Sequence, residues 1–61
     1  MTRSLSLPDL ETVYDTLAQT LDAAAPEQAE LLLVKLVLLL AQDLGDSTRF
    51  AALAQTALLD L

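Results

Sequence analysis

The stretch "LLLVKLVLLLAQDLGD", residues 31–46, decides the fold. From Leu31 to Ala41 every residue except Lys35 is apolar. Leucine and alanine lose little conformational freedom in a helical backbone, so the run reads as a helix. On that helix Gln28, Lys35 and Gln42, spaced by seven, make one thin polar stripe. Leu31, Leu32, Leu33, Val34, Leu36, Val37, Leu38, Leu39 and Leu40 fill nearly every other direction. A helix that is apolar almost all round needs cover almost all round. A membrane is the wrong cover for it. The run is about 16 Å long against a hydrocarbon thickness of roughly 30 Å. Glu27, Glu30, Asp43 and Asp46 flank it, and Lys35 sits at its middle.

Two breaks bound this helix. On the N-terminal side is Ala23-Ala24-Ala25-Pro26, where the proline suits a first helical position and pushes its predecessor out of the helical region. On the C-terminal side is Leu44-Gly45-Asp46-Ser47. Gly45 suits a left-handed helix end, and Asp46 or Ser47 suits the next N-cap. Before the first break, Ser6 can cap a helix with Pro8 in its first turn and Asp9 and Glu11 at its positive end. From Leu10, the positions Val13, Tyr14, Leu17, Leu21 and Ala24 share one face, opposite Thr12, Asp15, Thr16, Gln19 and Asp22. After the second break, Phe50, Leu53, Ala54, Ala57, Leu58 and Leu61 share a face, with Arg49, Gln55 and Thr56 away from it. Leu59 falls on the outer side.

The expected fold is all-α: one domain over residues 1–61, with three helices at about 7–24, 26–44 and 47–60. The short connections favour antiparallel neighbours, arranged up-down-up or as a hairpin with the third helix folded over it. A chain of 61 residues buries only about 60 % of its unfolded surface, and such cores are usually stapled. This sequence has no cysteine and no histidine, so disulfides and the common metal staples are absent. What remains is very good helix packing or oligomerisation.

The charge narrows the partners. Nine acids against three bases give a net charge of −6. Nucleic acid needs a basic footprint, so a helix-turn-helix reading of the Gly45 turn, with Arg49 and Gln55 as its contacts, is disfavoured. Anionic membranes are disfavoured for the same reason. Residues 1–7 hold Arg3 and no apolar run, so the expected location is the cytoplasm.

The sequence assembles no catalytic, cofactor-binding or metal-binding set, and the chain is expected not to be an enzyme. Ser4, Ser6 and Ser47 have no base at useful spacing. Tyr14 reads as a core tyrosine with a wet tip. Glu11, Asp15 and Asp22 read as a solvated face rather than a cation site. Asp46-Ser47 resembles the attachment pair of an acyl carrier protein. However, Thr48 and Arg49 follow where carriers have leucine, and a tight turn precedes where they have a long loop. Capping is the better reading, and a carrier role through Ser47 is the remote alternative.

Two flanking helices can hide roughly 200° of the middle one, given the width of an apolar stripe. The surplus predicts an exposed leucine-rich strip and a partner to cover it. The simplest partner is a second copy, in a two-fold dimer completed as a helical bundle. Its interface is expected on Leu32, Leu33, Lys35, Leu36, Val37, Leu39 and Leu40. The two-fold axis should pass near Lys35 and Leu36, with the lysine at the edge of the seam.

The stretch "LVKLVLLLAQDLGD" also resembles the signature of a family of short bacterial proteins, the domain of unknown function 2783 family. "YDTL" at Tyr14 to Leu17 resembles that family's aromatic position in its first helix. The family brings no assigned activity. Its gene neighbourhood, beside flavin-dependent hydroxylases of aromatic degradation, implies an accessory or stabilising subunit of a larger enzyme. That is the alternative to self-association.

Overall fold

A computed structural model describes residues 4–59 and 61. Those residues form three α-helices and one short 3₁₀ turn. Helix α1 spans Leu7–Ala23, the 3₁₀ turn spans Pro26–Gln28, α2 spans Ala29–Leu44, and α3 spans Ser47–Leu58. No strand occurs among the described residues. Asp60, at the expected end of the third helix, lies outside them.

The helix ends follow from local chemistry. Ser6 is extended, and its hydroxyl oxygen accepts the Asp9 backbone N–H at 3.2 Å, with Pro8 inside the first turn. At the other end of α1, Ala24 returns to extended backbone, and its N–H donates to the Leu21 carbonyl at 3.2 Å. Ala25 is extended as well (φ −64°, ψ 144°), as the ring of Pro26 demands of the residue before it. The chain then tightens into the 3₁₀ turn, closed by Gln28 N–H to the Ala25 carbonyl at 2.8 Å. Regular α-helix begins only at Ala29, three residues later than expected. The reason is Gln28, whose φ of −107° and ψ of 4° lie outside the helical well.

Helix α2 stops at Gly45, which is left-handed (φ 70°, ψ 25°) and donates its N–H to the Ala41 carbonyl at 2.9 Å. Asp46 is extended, and its carboxylate accepts the Arg49 N–H at 3.0 Å. Of the two expected candidates, Asp46 is therefore the cap of α3, and Ser47 is its first helical residue.

The tertiary arrangement departs from the expected bundle. Among the described residues, no two positions twelve or more apart bring their Cα atoms within 8 Å. Antiparallel neighbours packed along their lengths would do so, because packed helix axes run only about 8–10 Å apart. The three helices instead meet at their corners and splay. The radius of gyration is 13.1 Å, against about 10.5 Å for a compact domain of this length. No described residue is buried. The half-buried ones are Leu17, Thr20 and Leu21 in the second half of α1, Ala24 and Ala25 after it, Ala29, Leu32, Leu36 and Ala41 on α2, and Phe50 near the start of α3.

Gly45 sets the α2–α3 corner, and the space around its Cα is open, with no atom within 4 Å of an added Cβ. Replacing it with alanine therefore costs only the backbone penalty of a left-handed L-residue. Gly45→Ala is expected to lower stability by about 1–2 kcal/mol in urea titration. A loss near zero would mean that the corner adopts another conformation.

Candidate functional site

The apolar residues of α2 span about 280° of its circumference at 100° per residue, interrupted by Glu30 near its start and Asp43 near its end, and leave a polar gap around Lys35 and Gln42. The expected interface residues divide between faces of this helix. Leu33, Val37 and Leu40 lie on one face together with Leu44, spaced 4, 3 and 4, which is the repeat of a coiled-coil seam. Leu32, Leu36 and Leu39 lie on the adjoining flank. Lys35 points to the opposite side and is exposed. Leu31, Val34 and Leu38 form a third apolar strip.

Cover on these faces is partial everywhere. Leu32, which lines a hollow with Ala24 beyond α1, and Leu36 are half-buried. Leu33 remains 39 % exposed, Val37 41 %, Leu40 58 % and Leu39 60 %. The neighbouring helices are equally bare. Leu7, Leu10 and Val13 are exposed along the first half of α1, and Leu53 and Leu58 along α3. Tyr14 is 72 % exposed, so it is not a core residue of this chain, contrary to the sequence expectation. The half of α1 that carries it extends past the elbow, where nothing of the same chain reaches.

The α2–α3 corner forms an open hollow with an apolar lining. It measures about 310 Å³ and is walled by Val37, Leu40, Ala41, Leu44, Phe50 and Leu53. Val37 and Leu40 belong to the interface expected from the sequence, whereas Leu44, Phe50 and Leu53 are additions to it. The signal for Leu44 was available in the 4-3-4 spacing. The contribution of α3 was not, because it depends on the angle at Gly45.

Polar chemistry is sparse. Glu11, Asp15 and Asp22 stand exposed on α1. Among the described residues no three acidic side chains gather where they could hold a metal ion. Ser47 is exposed at the α2–α3 turn. Thr12, Thr20 and Thr56 each donate their hydroxyl to the carbonyl four residues earlier, at 3.1, 2.7 and 3.1 Å. Those hydroxyls are satisfied within their own helices, which lets Thr20 sit half-buried beside the apolar face of α1. No described helix is long and apolar enough to cross a membrane. Comparison with protein-family models, curated proteins and solved structures finds no match for this chain.

The corner separates the roles of Asp46 and Ser47. Asp46→Ala removes the cap and should cost about 1 kcal/mol of stability. Ser47→Ala should change stability by less than about 0.5 kcal/mol, as a surface substitution outside any cap does. Equal losses by thermal denaturation would show that the Ser47 hydroxyl shares the capping role.

Proposed function

We propose that this chain is a non-catalytic helical interaction module that self-associates through α2, most simply as a two-fold dimer. The observation that carries this reading is its surface. The chain exposes 5720 Å², whereas a folded monomer of 6.5 kDa exposes about 3,800 Å². The excess, about 1,900 Å², is more than twice the roughly 800 Å² that each partner contributes to a standard interface. Much of it is leucine. Each Leu or Val taken from water is worth roughly 1.5–3 kcal/mol, so a strip of three or four is a strong drive to associate.

A second reading is a small accessory subunit that folds against a larger enzyme. What favours it is that bare apolar faces occur on all three helices, as in a segment shaped to a broad partner surface. On the family resemblance, that enzyme is a flavin-dependent hydroxylase of aromatic compounds. Co-purification from the native source separates the two readings. A stoichiometric larger protein supports the accessory subunit, and a stable assembly of this chain alone supports self-association.

Sedimentation equilibrium at micromolar concentration is expected to give twice the 6.5 kDa chain mass. The double variant Leu36→Glu, Leu40→Glu should sediment as a single chain, because a carboxylate in an apolar seam is unpaired and desolvated. A wild-type protein at 6.5 kDa throughout would overturn self-association. A variant that keeps the dimer mass would overturn the α2 seam. Added salt provides a second check. Two chains of charge −6 repel each other, and shortening the screening length from about 30 Å to 8 Å should tighten the dimer. Salt-induced dissociation would point to ion pairs instead of apolar contact.

A further inference from the structure

We infer that the hollow at the α2–α3 corner is the receptor for a second copy of this chain, docked corner to corner, and that folding and association are one step. The inference rests on the self-association reading and adds to it the surface used and the contribution of α3. Three observations converge on it.

The first is the area. A second copy that covered the excess of about 1,900 Å² on each chain would bury roughly 3,800 Å² per pair, which falls among obligate interfaces and well above the standard class. A seam on α2 alone, one face of a 16-residue helix, is too small for that. The flanking helices must also lie against the partner.

The second is shape. The hollow sits between two helices joined by two residues, Gly45 and Asp46, and both of its walls are apolar. On the α2 wall, Leu33, Val37, Leu40 and Leu44 carry the 4-3-4 spacing that meshes with another helix. On the α3 wall, Phe50 and Leu53 face the same space. A two-fold contact requires that one patch be complementary to itself. Two such corners interlock, with the α2 seams antiparallel and each α3 closing over the partner's seam. The four helices then form the buried core that neither chain has alone.

The third is charge. The described walls of the hollow carry no ionisable side chain, although the chain as a whole is strongly acidic. Lys35 and Gln42 lie on the far side of α2, where they stay in water. Glu30 shares this face of α2 one turn before Leu33, outside the hollow, so an acidic chain can approach its own copy with no carboxylate in the hollow itself, although the seam ends at one.

The experiment uses the full chain over a dilution series, with helicity read by far-ultraviolet circular dichroism and mass read by sedimentation at each concentration. Helicity and dimer mass are expected to fall together, with a melting temperature that rises with concentration. Two variants then test the surface. Leu53→Glu, on the α3 wall, should weaken dimerisation by at least about 100-fold, because it places an unpaired carboxylate in an apolar seam. Leu31→Glu, on the opposite strip of α2, should stay within about threefold of the wild type, as surface substitutions usually do. Two copies joined by a flexible linker should restore helicity to Leu53→Glu through the millimolar effective concentration of the tether. Failure of that rescue would mark the variant as misfolded, and Leu53→Ala, expected to weaken association by at least about tenfold, then decides in its place.

A wild-type monomer at every concentration overturns both this inference and the reading beneath it. A dimer indifferent to the Leu53 substitutions, or weakened as much by Leu31→Glu, overturns the corner and leaves self-association standing. Helicity that persists after dissociation overturns the single-step coupling. A mass above the dimer overturns the two-fold pairing.

Discussion

The constraint on which the rest depends is the circumference of α2. About 280° of it is apolar, and one short chain supplies only two neighbouring helices. Even a well-packed three-helix hairpin would leave part of that surface wet. The observed chain leaves more, because its helices meet only where they are joined. Removing apolar surface from water is the main force favouring a folded state, and conformational entropy opposes it at every residue. With no described residue buried, the chain by itself gains little from that force, and in the proposed assembly a second copy supplies the missing cover.

The local structure was largely legible in the sequence, and the reasons are chemical. Ser6, Gly45 and Asp46 each occupy the end position that their side chain, or lack of one, suits. All three helices fall where the apolar spacing places them, although α3 ends at Leu58, short of the expected residue 60. The start of the second differs because a proline at a first helical position is compatible with both α and 3₁₀ turns. The choice was made by Gln28, whose backbone angles leave no mark in its residue type. Periodicity identifies which face of a helix needs cover. It does not identify what provides the cover, and the expected intramolecular packing failed for that reason. Tyr14 shows the same limit, since it lies on the correct stripe but on the half of α1 that overhangs the elbow.

The candidate surface was legible to a similar degree. Leu33, Val37 and Leu40 stand out in the leucine run, and they do share a face. Lys35 stands with them at the centre of the sequence run, yet the helical turn carries it to the opposite side. Phe50 and Leu53 reach the same hollow only because Gly45 turns the chain at a particular angle. The composition of the run reports how much surface must be covered, whereas the corner geometry determines which residues are adjacent.

The absence of close approach between distant positions has a kinetic consequence. Every contact among the described residues is local, so no large loop must close before the helices form. Helices of this length equilibrate with coil in about a microsecond or less. If the chain pairs with itself as proposed, the slow event is a bimolecular encounter between partly helical chains, and its rate scales with concentration. The abundance of its own kind would then set how long the leucines of a newly made copy stay in contact with water.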